Sequence, residues 1–110
     1  METTLDTAPQ TFHDMLTLWL EAANKMLSDY MAKNFPSQQE ALTYEEGQKY
    51  VRIVKTAANG SSRSAFAFVN KETGEIFKAA GWKAPAKHAR GNIRNLVRLD
   101  VGPYGPAYLK

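Results

Sequence analysis

Lys83, Lys87, His88, Arg90, Arg94 and Arg98 fall within one stretch of the chain, and no carboxylate lies between Lys78 and Arg98 to neutralise them. Guanidinium and ammonium groups at this density are the chemistry of polyanion binding. Arg forks onto phosphate oxygens through paired N–H donors, and Lys supplies a compact point charge. Trp82 opens the stretch, and Gly81, Pro85 and Gly91 punctuate it. Glycine lets backbone N–H groups approach a phosphate, while an indole is a flat surface on which a base can stack. A charge run is also what a plain solvated face looks like, and Trp82 could equally lid a core. An acid-free basic run interleaved with aromatics makes nucleic acid the first partner class to consider.

The formal charge of the 110-residue chain is +3, and it is unevenly spread. Residues 1–46 carry eight acids against Lys25 and Lys33, whereas residues 47–110 carry twelve Lys or Arg against Glu72, Glu75 and Asp100. Catalysis finds little support in this layout. His13 and His88 are the only histidines and lie in regions of opposite charge. His13 and Asp14, as helix neighbours, diverge by about 100° around the axis. No HxxxH, DxD or paired-carboxylate pattern sits in the basic half, where a nuclease would hold metal. Asn59-Gly-Ser-Ser-Arg63 lacks the GxxxxGK[ST] spacing of a P-loop and reads as a hairpin turn with Arg63 at its tip. There is no cysteine, which removes disulfides, thiolate zinc sites and cysteine nucleophiles. The expectation is a binding protein, not an enzyme, with no cofactor and no metal.

The elements that must position these residues follow from periodicity. Phe12, Met15, Leu16, Trp19, Leu20, Ala23, Met26, Leu27, Tyr30 and Met31 recur at three- and four-residue steps, predicting an amphipathic helix over 8–35. Thr7 to Gln10 has capping-box spacing, and Pro36 stops the helix. The apolar stripe is broad for a chain this short. It reads either as a plain core helix or as a core helix that also forms a subunit interface, with Leu16, Trp19, Leu20, Ala23 and Leu27 making contacts across a dimer or tetramer boundary.

After a polar linker from Ser37 to Leu42 the period changes to two. Lys49–Lys55, Ser64–Val69 and Glu75–Ala79 alternate as strands, joined by turns at Asn59-Gly60 and Lys71–Gly74. A fourth strand, or else a short helix, is expected around Arg94–Val101, and Gly81 to Asn92 reads as a basic irregular segment. The fold class is α+β: one domain, with the helix on a three- or four-stranded antiparallel sheet over 44–101 and an irregular basic arm over 102–110. Alternation puts Val51, Ile53, Ala65, Ala67, Val69 and Ile76 on one sheet face and Tyr50, Arg52, Val54, Phe66, Phe68 and Phe77 on the other. Either face could be the core, since Phe66 and Phe68 would fill one as well as the alanines would permit close helix approach. Tyr50 with Arg52 is the expected exposed pair, because Arg is rarely buried unpaired. No segment has the length of a membrane span and the N-terminus lacks signal-peptide regions, so a cytoplasmic protein without membrane partners is expected.

The stretch from Tyr50 to Ile93 resembles a family of small proteins found in tailed bacteriophages. The motif is Trp82-Lys83-Ala84-Pro85-Ala86-Lys87 followed by Ala89-Arg90-Gly91-Asn92-Ile93. The size, the N-terminal helix and the basic sheet half are also similar to the single-stranded-DNA-binding RNA polymerase cofactor family (Drc) of podoviruses. That resemblance implies a homo-oligomer with single-stranded DNA and RNA polymerase as partners, acting in phage transcription or DNA metabolism in the host cytoplasm. The expectation is sequence-tolerant binding of single-stranded DNA. Lys83, Lys87, Arg90, Arg94 and Arg98 would neutralise phosphates, Arg52 and Arg63 would extend the track, and Trp82, Tyr50, Phe77 or Tyr104 would stack bases. A host-takeover protein that binds a bacterial protein, or a small virion component, are the other readings.

Overall fold

Thr11 starts the helix by accepting a hydrogen bond from the Asp14 N–H at 3.1 Å, which satisfies one of the orphan donors of the first turn. In a computed structural model, which describes residues 11–57, 60, 62–95, 99–103 and 105–106, helix α1 spans Phe12–Asn34. The cap of this helix is Thr11; the Thr7–Gln10 capping-box segment lies outside the described residues. The helix ends at Phe35, whose N–H bonds to the Met31 carbonyl before Pro36 breaks the pattern.

Five strands follow: β1 (Glu40–Glu46), β2 (Tyr50–Ala57), β3 (Arg63–Asn70), β4 (Glu75–Ala79) and β5 (Pro85–Asn92). They form one antiparallel meander in the order β1-β2-β3-β4-β5. A short hairpin of β6 (Val101–Gly102) and β7 (Gly105–Pro106) makes a second, two-stranded sheet. The turns use the residues expected of them. Gly60 and Gly74 take φ of +75° and +79°, and the Asn70 side chain accepts from the N–H groups of Glu72 and Thr73 to fold the β3–β4 turn.

The core lies between α1 and one sheet face. Leu16, Trp19, Ala23, Leu27 and Met31 of the helix pack with Leu42, Val51, Ile53, Ala67, Val69, Ile76 and Ile93. The small aliphatic face is thus the helix side. A bulge refines this: Ile53 faces Ala67 and Val54 faces Ala65, which leaves Phe66 as the extra residue on β3. Phe66 and Ala67 both join the core cluster, which neighbours in a regular strand do not do. Phe68 stays on the opposite face.

Asn24 fastens α1 to the sheet edge. Its amide donates to the Leu42 carbonyl at 2.9 Å and accepts from the Leu42 N–H at 2.8 Å, so a side chain completes the outward-facing backbone of edge strand β1. Trp19 is 2% exposed, and its indole N–H donates to the Leu99 carbonyl at 3.0 Å, tying the helix to the segment before the β6–β7 hairpin.

Several expectations are corrected here. The sheet has five strands, because Glu40–Glu46 pairs along β2, beginning within the polar linker expected over Ser37–Leu42. Pro85–Asn92 pairs with β4, although it carries the residues of an irregular segment; its extra residues are absorbed as register shifts against β4. The described residues of the strand expected around Arg94–Val101 do not join the main sheet. Ile93 and Arg94 lie in a turn, Val101 pairs with Pro106, and residues 96–98 fall outside the described residues. The arm begins as the ordered β6–β7 hairpin, which packs on α1, β3 and β4, so it is neither irregular nor basic there. The subunit interface is corrected for four of its five residues. Leu16, Trp19, Ala23 and Leu27 are at most 2% exposed within the single chain, because the five-stranded sheet and the hairpin together cover the stripe. Leu20 is half-buried against the same core.

Candidate nucleic-acid interface

The sheet face away from α1 carries the aromatics and arginines. Phe68 pairs with Arg52 on β2 and with Phe77 on β4, so the three side chains form one row across the sheet. Tyr50 closes edge-on over this row, with ring centroids 6.3 Å from Phe68 and 5.8 Å from Phe77. The edge-to-face arrangement suits the opposite charges of ring edge and ring face. Phe68 is buried at 4% exposure beneath these neighbours, while Tyr50 and Phe77 are half-buried. Tyr50 and Phe77 thus both keep part of their surface open at this face.

The β4–β5 loop folds Trp82 onto the same face. The Arg52 guanidinium carbon lies 4.2 Å from the indole centroid and that of Arg63 lies 5.3 Å away, both within cation–π range. Arg52 also donates through Nη1 to the Trp82 carbonyl at 3.1 Å. Trp82 is 38% exposed, so it is not a core lid, and its ring is held in place by two cations. Lys83 follows it in the loop and lines a shallow groove of ≈ 240 Å³ with Tyr50, Arg52 and Phe68.

One residue at this face had no place in the sequence reading. Glu45 of β1 accepts on Oε1 from Arg52 (Nε at 3.2 Å, Nη2 at 2.6 Å) and on Oε2 from Arg63 Nη2 at 2.6 Å. Two hydrogen-bonded guanidiniums hold its carboxyl below the ordinary glutamate range. The same pattern recurs along β1. Glu46 bonds Lys71 at 2.9 Å and His13 at 3.0 Å, and Glu40 lies 3.7 Å from Lys55. Bonds from Lys71 and His13 hold the Glu46 carboxyl down as well. Charge that is segregated along the chain is thus mixed in space, because the antiparallel β1–β2 pairing lays three acids beside the basic half. Strand register could have signalled this: Leu42 and Tyr44 alternate with polar residues ahead of Gly47, which begins a tight turn.

The pairing has a consequence for stability. A carboxylate whose folded pKa is depressed stabilises the fold fully above its unfolded value and loses that contribution as pH falls through the folded one. For Glu45 and Glu46 the ordinary value is 4.5. The difference in Tm between the wild type and a Glu45→Gln/Glu46→Gln variant should hold constant at neutral pH. It should narrow as the pH falls below that value, as thermal melts across the acid range will show.

The remaining basic residues spread along the β5 edge. Lys87 and His88 are exposed and Arg90 is half-buried. Arg94 is exposed, yet its guanidinium is spent on the β3–β4 turn, donating to the carbonyls of Thr73 at 3.1 Å and Glu72 at 3.3 Å. It is a brace for that turn more than a phosphate ligand. Arg98 and Tyr104 lie outside the described residues. The structure therefore brings together Tyr50, Arg52, Arg63, Trp82 and Lys83, places Lys87 and Arg90 farther along the adjoining edge, and separates Arg94 from them.

The described fold is an α+β domain with one helix on an antiparallel five-stranded meander. Residues 2–99 match a family described as a family of unknown function (DUF7717), and the chain belongs to that family. No curated protein and no solved structure matches it. Among the described residues, no helix is long and apolar enough to cross a membrane.

Proposed function

We propose that this protein binds single-stranded DNA, tolerant of sequence, through the face built on Tyr50, Arg52, Arg63, Trp82 and Lys83 and the adjoining β5 edge. The observation that carries the reading is the Trp82 indole, 38% exposed and fixed beside two guanidiniums, with Lys83 next to it. A base stacking on such a ring gains about 1–3 kcal/mol, and the surrounding cations hold the flanking phosphates. The chemistry at this face is non-covalent binding and requires no cofactor. Lys83, Lys87 and Arg90 form the phosphate track in this reading. The resemblance to the phage single-stranded-DNA-binding polymerase cofactors supports a role in phage transcription or DNA metabolism, inside the host cytoplasm and with RNA polymerase as a further partner. A homo-oligomer fits the same role. It would use exposed apolar side chains such as Leu18 and Tyr44, each 41% exposed, because the buried stripe is already spent on the core.

Phosphate contacts release counterions, so affinity should fall with log salt at about −0.7 per contacted phosphate. Lys83 and Lys87 are both exposed, so changing them together to Ala should leave Tm nearly unchanged. It should make the slope shallower by about 1.4 units and weaken all sequences alike. Fluorescence anisotropy with labelled oligo-dT at a series of salt concentrations reads this directly. An unchanged slope would remove both residues from the track.

A further inference from the structure

Arg52 and Arg63 point their guanidiniums at a single carboxylate on the proposed binding face, and that geometry is also how two arginines hold a phosphate. Glu45 presents one oxygen to the fork of Arg52 and the other to Arg63, at 2.6–3.2 Å. Its side chain is 41% exposed and that of Arg63 is 49% exposed, so the pair opens to solvent, while Arg52 at 25% is anchored under Trp82. The cluster of two cations and one anion keeps a net positive charge and adjoins the stacking ring. We propose that Arg52 and Arg63 form a phosphate subsite that Glu45 occupies in the free protein, so that a backbone phosphate enters by displacing the Glu45 carboxylate.

This inference rests on the single-strand reading for its biological ligand, but the subsite itself calls for any phosphate-class anion. Glu45 then acts as a built-in competitor. It keeps the two guanidiniums aligned against Trp82 in the absence of ligand, and it lowers affinity for weak or isolated anions. A strand anchored elsewhere along the face has the local concentration needed to expel it. Displacement leaves the carboxylate to water, which its exposed position on edge strand β1 permits. The alternative is that Glu45 is a structural clamp whose only task is to hold the arginines in register.

The two differ in sign when the charge is removed with shape retained. Glu45→Gln should bind oligo-dT about tenfold more tightly than the wild type, equivalent to one hydrogen bond to a charged group. Its salt slope should stay close to that of the wild type, because the same phosphate is contacted in both. Glu46→Gln is the control: it removes the same unit charge one residue away, from a carboxylate paired with Lys71 and His13. It should change affinity far less. Equal tightening by both variants would reduce the effect to net charge and overturn the subsite, and weaker or unchanged binding by Glu45→Gln would make Glu45 a clamp. A second arm titrates inorganic pyrophosphate while following the Arg Nε–H NMR signals. Shifts of Arg52 and Arg63 that are larger in Glu45→Gln than in the wild type support the subsite even if neither protein binds DNA, which would overturn only the single-strand reading. No shift of either arginine in Glu45→Gln would overturn the subsite whatever the DNA result.

Discussion

Trp19→Ala should remove a large part of the stability of the fold. Trp19 is 2% exposed at the centre of the α1 stripe, and its removal opens a cavity that Leu16, Ala23 and the sheet cannot close. Truncating a buried Trp costs about 3–5 kcal/mol, against a total stability of about 5–15 kcal/mol for a typical domain. The change also strands the Leu99 carbonyl, which accepts the indole N–H, so the β6–β7 hairpin should loosen with the helix. Circular dichroism melts should show a large drop in Tm. Trp19→Phe should recover the packing in part but not the hydrogen bond, and should fall between the two. A Trp19→Ala protein as stable as the wild type would contradict the core described here.

Trp82→Ala should separate binding from stability in the opposite sense. The ring is 38% exposed and absent from the core cluster, so its loss should lower Tm far less than the loss of Trp19. Affinity for oligo-dT should fall by about 1–3 kcal/mol, since a stacking surface is lost. The salt slope should change little, because the indole itself releases no counterion. Arg52 and Arg63 lose their aromatic support in the variant, a cation–π contribution of about 0.5–1 kcal/mol per pair at an exposed site. Quenching of the remaining Trp19 fluorescence should become small, because Trp19 is buried on the other side of the sheet. Trp82→Ala with a collapsed Tm and undiminished affinity in its folded fraction would make the ring structural.

The helix and three of the strands were legible because their signals are periodic and local. Phe12 to Met31 repeats at helical spacing, and Asn70 through Gly74 is a turn in any context. What the sequence hid were features decided by pairing. Glu40–Glu46 gives only a weak strand signal, the alternation of Leu42 and Tyr44, since its outer edge is finished by Asn24 and only Leu42 turns fully into the core. Pro85–Asn92 carries Pro, Gly and three cationic or histidine side chains (Lys87, His88 and Arg90), and it is a strand because β4 supplies an edge that tolerates its bulges. The binding face was half legible. Tyr50 beside Arg52 and the proximity of Trp82 to the basic run follow from alternation, but the neutralising role of Glu45 requires the β1–β2 register, in which Glu45 faces Arg52. The breadth of the helix stripe is accounted for within the single chain, because the hairpin after Leu99 covers what a smaller sheet would leave bare.

The central claim is that the Trp82 face binds single strands in preference to duplex, and one titration tests it. Wild-type protein is added to fluorescein-labelled oligo-dT and, separately, to a duplex of the same length, at about 50 mM and about 200 mM salt. The expected result is tighter binding of the single strand at both salts, because only unpaired bases reach the indole, with affinity falling steeply between them. Equal affinity for the two forms would reduce the protein to a general polyanion binder, and no binding of either at the lower salt would contradict the account.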